Sequence, residues 1–167
     1  MSVPRAINVV LAGLMWLAVG TETALAQNRL GGHFGVLFPI ASPVQGEIKS
    51  IGDDFVIGFP TGITVKTTDK VAFDLEFVPV IQNDPLETTL TVHPGILYGF
   101  RPSWTGGLRM AFDVNAASWG FTPLINYSIA GGHGLFLEAV LPIRFQTKES
   151  EDLGTTVGFG VHIGIGF

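Results

Sequence analysis

Three histidines, His33, His93 and His162, sit in stretches where every second residue is apolar. Histidine is the side chain that exchanges protons near neutral pH, so each is a candidate acid, base or ligand. His93 with Ser128 and Glu138 has the residue types of a hydroxyl–imidazole–carboxylate arrangement for acyl transfer. Such a triad is defined by geometry rather than by sequence position, and the competing reading is a set of histidines satisfied by hydrogen bonds in a polar interior. No nucleophile elbow and no metal-ligand spacing accompany them, and the pairs Gly31-Gly32 and Gly131-Gly132 lack the strand–loop–helix context of a phosphate loop. No catalytic, cofactor-binding or metal residue is assigned, and no cofactor is expected.

The charged residues carry a second pattern. Lys66, Arg101, Arg109 and Arg144 fall on the same alternating face as Asp74, Glu76, Asp113 and Glu138, and their charges sum to zero. Charges removed from water are costly unless paired, so balanced signs predict a network of salt bridges filling an interior. A narrow water-filled pore is the other reading, favoured by the many glycines that share this face. The net charge of −5 then falls elsewhere, on Glu47, Asp53, Asp54, Asp84, Glu87, Glu149, Glu151 and Asp152 against Lys49 and Lys148. That rim is a solvated loop surface or a place to share divalent cations with lipopolysaccharide phosphates. It excludes nucleic acid, which needs a basic surface.

What must position these groups is a set of strands. A period of two runs through residues 29–40, 55–66, 71–81, 89–101, 107–115, 119–129, 135–145 and 157–167. Each stretch is about the 9–11 residues that a tilted membrane strand requires. Large apolar side chains take one face, and glycine, polar and charged residues take the other. Eight strands of this kind predict an all-β, eight-stranded antiparallel up-and-down transmembrane β-barrel, whose interior is just wide enough for side chains to fill. A soluble lipocalin-like barrel is the alternative fold, and it requires the inverse balance, apolar inside and polar outside. Long and short connections alternate at first, with residues 41–54 long, Thr67-Thr68-Asp69 tight and 82–88 long. Six prolines, Pro39, Pro60, Pro79, Pro94, Pro123 and Pro142, lie inside strands. Proline removes a ladder donor, so these positions predict bulges or kinks, or else a weakened seam through which a lipid enters sideways.

The ends of the chain give an address. Arg5, the apolar run from residue 6 to 19 and Ala24-Leu25-Ala26 read as a secretory signal peptide over residues 1–26, leaving a barrel domain over 27–167. Charged residues make up 14%, there are 22 glycines and 13 phenylalanines, and cysteine is absent, so stability rests on backbone pairing and packing. The final strand alternates Phe159, Val161, Ile163, Ile165 and Phe167 with glycines and His162.

With its signal peptide, eight amphipathic strands and terminal Phe167, the chain resembles the small eight-stranded outer-membrane barrels of the OmpA/OmpX-like class. The last strand looks like the signal read by the barrel-assembly machinery, departing from it at Ile165, where an aromatic is common. The resemblance implies insertion in the outer membrane of a Gram-negative bacterium, contact with membrane lipid and lipopolysaccharide, and a monomer. It implies a structural or interaction role with a charge-paired lumen. The alternatives are a narrow porin-like channel for small solutes or hydrophobic compounds, and a lipid-modifying enzyme.

Overall fold

The computed structural model describes residues 29–44, 47–50, 55–83, 86–114, 118–129, 134–146 and 154–167. The expected signal peptide, Asp53, Asp54, Asp84, Lys148, Glu149, Glu151 and Asp152 lie outside these residues. Twelve strands form: β1 (Leu30–Val44), β2 (Glu47–Ser50), β3 (Val56–Gly58), β4 (Thr61–Lys66), β5 (Val71–Asn83), β6 (Leu86–Arg101), β7 (Trp104–Asp113), β8 (Ser118–Ser128), β9 (Leu135–Val140), β10 (Ile143–Gln146), β11 (Thr155–Val157) and β12 (Phe159–Gly166). They compose eight staves, because β3 with β4, β9 with β10, and β11 with β12 each continue one line of chain, while β2 folds back on the end of β1. Every pairing is antiparallel between neighbours, and β1 closes against β12 with His33 opposite Gly166 and Pro39 opposite Gly160. Gly32 and Phe167 exchange both backbone hydrogen bonds at 2.9 Å. The result is the closed, eight-stranded antiparallel all-β barrel predicted from the period of two.

Alternation decides what faces where. In β5, Asp74, Glu76 and Val78 are buried while Phe73 and Phe77 are exposed by 43% and 41%. The same outward set recurs around the wall as Phe34, Ile63, Ile96, Leu108, Phe112, Ile125, Leu137 and Ile163. The balance is charged inside and apolar outside, the inverse of what a lipocalin-like barrel requires. Aromatic clusters mark both ends of the wall. Trp104 packs on Tyr127 at 4.9 Å between ring centres at the end that bears Phe167, called here the terminal end. Trp119 packs on Phe145 at 5.0 Å at the opposite, distal end.

The connections differ from expectation. The 82–88 stretch is not a loop for most of its length: the β5–β6 ladder runs on to Asn83 opposite Leu86, extended by a Gln82–Glu87 side-chain hydrogen bond of 3.2 Å. Likewise 41–54 contains the distal end of β1 and all of β2. Backbone pairing continues past the apolar belt in both places, so strand outlasts the apolar signal.

The prolines fall at local breaks or are bridged through their carbonyls. Pro60 and Pro142 sit in the gaps between β3 and β4 and between β9 and β10, and Pro39 flanks a register shift against β12. Pro60, Pro79, Pro123 and Pro142 each accept a backbone hydrogen bond of 2.8–3.0 Å, from Gly35, Phe59, Leu141 and Gly158. Proline lacks only the donor, so at these four positions the carbonyl still bridges to the neighbouring stave.

Candidate functional site

Seven charged or imidazole side chains from six staves converge at mid-height inside the barrel. Asp74 and Glu76 come two apart on β5, His93 from β6, Arg109 from β7, Glu138 from β9, His162 from β12 and His33 from β1. All seven are at least nine-tenths buried. Arg109 is the hub. Its Nε donates to Asp74 Oδ2 at 2.8 Å and its Nη1 to Glu138 Oε1 at 2.9 Å, with Glu76 Oε1 at 3.4 Å from the same Nη1. A planar guanidinium spans three carboxylates in a way that an ammonium cannot. The remaining lone pairs are taken by Thr64 on Asp74 at 2.7 Å, Asn126 on Glu138 at 3.4 Å, and the imidazoles. His33 Nε2 lies 3.0 Å from Glu76 Oε2, and His162 Nδ1 lies 3.4 Å from Glu138 Oε1.

His93 is held from both sides. Its Nδ1 is 3.1 Å from Glu76 Oε1 and its Nε2 is 3.1 Å from Arg144 Nη2. A guanidinium only donates, so Nε2 accepts and the ring proton sits on Nδ1, facing Glu76. The hydroxyl that shares His93 is Thr122, 3.5 Å from Nε2 and 3.2 Å from Arg144 Nη1. This corrects the His93–Ser128–Glu138 grouping. Ser128 pairs with Phe136 near the terminal end, six residues from Thr122 along β8, or roughly 20 Å at strand rise. The carboxylate on His93 is Glu76, and the Nε2 lone pair a base would use is engaged by Arg144.

Two of the eight expected interior charges lie elsewhere. Lys66 and Arg101 are exposed at the terminal end and make no ion pair among the described residues. Asp113 and Arg144 form a half-buried pair at 3.8 Å on the distal side of the cluster, where Asp113 also accepts from Thr91 at 2.6 Å and from Ser118. The interior is therefore not balanced by lysine and arginine alone. Four carboxylates face two guanidiniums, and three imidazoles supply the remaining donors.

The glycines on the inner face do the opposite of leaving an open pore. Several are niches for a large side chain from the next stave. A Cβ on Gly62 would lie 2.2 Å from His33 Cε1, on Gly95 2.5 Å from Arg109 Cγ, on Gly164 2.5 Å from Phe136 Cζ, and on Gly35 2.6 Å from His162 Nε2. Below the cluster, towards the terminal end, Leu124 and Phe136 are buried at 7% exposure, and Phe136 packs edge-on against His162 with ring centres 4.9 Å apart. Charged layer and apolar layer together fill the interior at this height with side chains.

One constellation has the donor set of a metal site: Glu76, Glu138 and His162 bring three ligand atoms within 4.8 Å of one another. Arg109 Nη1 already occupies the position between the two carboxylates, so the cation seat is filled by the protein itself. Sequence reasoning missed Thr122 and Thr64, because a threonine within a strand carries no signal beyond β propensity. No protein-family model matches this chain, and no curated protein matches it.

Proposed function

We propose that this protein is an integral outer-membrane barrel of the OmpA/OmpX-like kind, with a structural or interaction role and a non-conducting lumen. The observation that carries the reading is the pairing of an exposed apolar belt with a cross-barrel ion cluster centred on Arg109. An apolar surface of that extent is stable only when lipid covers it. An interior filled with side chains at the height of Arg109 argues against the channel alternative. In this reading residues 1–26 direct export, and Phe159, Val161, Ile163, Ile165 and Phe167 are read by the barrel-assembly machinery. The partners are membrane lipid and lipopolysaccharide, and the barrel is a monomer.

The test is fractionation followed by planar-bilayer recording. The protein should stay with the membrane pellet through urea and carbonate washes, migrate heat-modifiably on gels, and give no current steps above background. Release without detergent overturns the membrane assignment. Steady unit conductance overturns the closed lumen.

A further inference from the structure

Distal to the ion cluster the inner face changes character. Leu37, Pro60, Val78, Val140 and Pro142 surround a cavity of about 70 Å³ whose floor is Glu76, Arg109, Glu138 and His162. A second cavity of about 190 Å³ shares Leu37, Val140, Pro142 and Arg144 with the first. It is also lined by Phe159, an outward-facing residue of the apolar belt with 41% of its surface exposed. Inward-facing Leu37 and Val140 and outward-facing Phe159 all line it, so this cavity lies directly against the seam between β1 and the closing stave.

Three backbone discontinuities lie side by side: β9 ends before Leu141-Pro142, Gly158 separates β11 from β12, and β1 shifts register between Pro39 and Ala41. The Ala41–Phe159 pair is the last ladder link between β1 and the closing stave, while on its other side the Gly158–Pro142 hydrogen bond of 2.8 Å carries the pairing on to β10. Beyond them β1 pairs with β2, while β11 pairs among the described residues with β10 alone. No ladder joins β1 to β11 among the described residues. At the inner mouth stands Arg144, whose side chain is 17% exposed and whose nearest carboxylate, Asp113, is 3.8 Å away. Its Nη1 donates to the Phe121 and Ile143 carbonyls and Thr122, and its Nη2 to His93. That holds the guanidinium in place at the junction of the two cavities.

We propose that the gap between β1 and β11 is a lateral portal, and that the cavity behind it binds a single alkyl chain ending in a carboxylate, a long-chain fatty acid. The chain lies among Leu37, Val140, Pro142 and Phe159, and the carboxylate meets Arg144. Burial of methylenes supplies the affinity, and the loosely paired guanidinium selects an anionic end. The inference rests on the barrel being membrane-embedded, since only then does the portal open onto lipid.

The experiment uses the refolded barrel in phosphatidylcholine nanodiscs with a fatty acid bearing a photoactivatable diazirine, crosslinks being mapped by mass spectrometry. Inward-lining peptides around Leu37 and Val140 should be labelled with saturation. A Ser42→Cys, Gly158→Cys pair tests the portal reversibly. A Cβ on Gly158 would lie 3.7 Å from Ser42 Oγ, within reach of a disulfide, and the native chain has no cysteine to interfere. Oxidation should cut inner labelling at least about tenfold and reduction should restore it, with heat-modifiable migration unchanged. Arg144→Gln should weaken fatty-acid labelling roughly tenfold, the scale of one charge-assisted hydrogen bond, and leave labelling by the matching diazirine fatty alcohol unaltered. Labelling confined to outward belt residues, or equal inner labelling with the staple open and closed, overturns the proposal. Failure to enter nanodiscs at all overturns the membrane reading instead.

Discussion

Replacing Arg109 with methionine is the sharpest perturbation of this barrel. The side chain is 2% exposed and touches Asp74, Glu76 and Glu138, whose own exposures are 0%, 2% and 2%. Methionine fills much of the same volume, so the change removes charge and donors rather than packing. Breaking one buried ion pair from one side costs about 3–5 kcal/mol, because the partner stays desolvated and unpaired. Here three carboxylates lose one cation, so the expectation for Arg109→Met is the top of that range, about 5 kcal/mol. Arg109→Lys should recover only part of it, since one ammonium cannot meet Asp74 and Glu138 from opposite sides at 2.8 and 2.9 Å. The assay is reversible urea unfolding in phosphatidylcholine vesicles, followed by tryptophan emission and gel migration. Combining Arg109→Met with Glu138→Gln should be less harmful than the sum of the two, with a coupling above about 1 kcal/mol in the double-mutant cycle. A loss below about 1 kcal/mol for Arg109→Met, or strict additivity in the cycle, refutes the view that this cluster holds the interior together.

Other outcomes follow from the same coordinates. Gly95→Ala should destabilise by about 1–3 kcal/mol, because its Cβ meets Arg109 Cγ at 2.5 Å and the Leu108 carbonyl oxygen at 2.7 Å. Gly99→Ala, with its nearest neighbour 3.8 Å away, should stay within about 0.5 kcal/mol, and equal effects in urea unfolding would contradict the niche argument. Bromolipid quenching of Trp104 and Trp119 should be strongest for bromines near the headgroup, as interfacial placement requires, and deepest quenching at the bilayer centre would refute it. Deleting Phe167 removes the mutual hydrogen bonds with Gly32 and should lower the heat-modifiable fraction in cells several-fold, and unchanged folding would separate this residue from assembly.

The period of two made most of the architecture legible. Faces were readable for Asp74, Glu76, Arg109, Glu138, His33, His93 and His162 because a strand permits only two directions for a side chain. Height was not readable. Lys66 and Arg101 have inward parity but stand at strand ends, where the interior meets solvent and an unpaired cation carries little penalty. Stagger between staves was also hidden, and stagger alone puts Thr122 rather than Ser128 beside His93. Glycine carried two meanings that sequence does not separate, space left open and space left for a neighbour. Proline signalled a missing donor without saying whether a gap, a bulge or a bridged ladder would answer it.

The glycine niches bear on how the barrel can be made. His33 lies on Gly62 and His162 on Gly35, so the inner face of β1 is finished only when β4 and β12 both flank it. The ion cluster likewise draws on β1, β5, β6, β7, β9 and β12, and no single hairpin holds a complete set. A partly assembled sheet therefore keeps its carboxylates and imidazoles in water, where they are cheap to solvate and discourage stacking against other sheets. Desolvation of all these groups falls on one event, the meeting of the first and last staves. Closure is thus a commitment point: the full cross-barrel set forms only when the first and last staves meet, and a closed barrel reopens along that seam only by uncovering His162 from Gly35 and returning the charged groups to water.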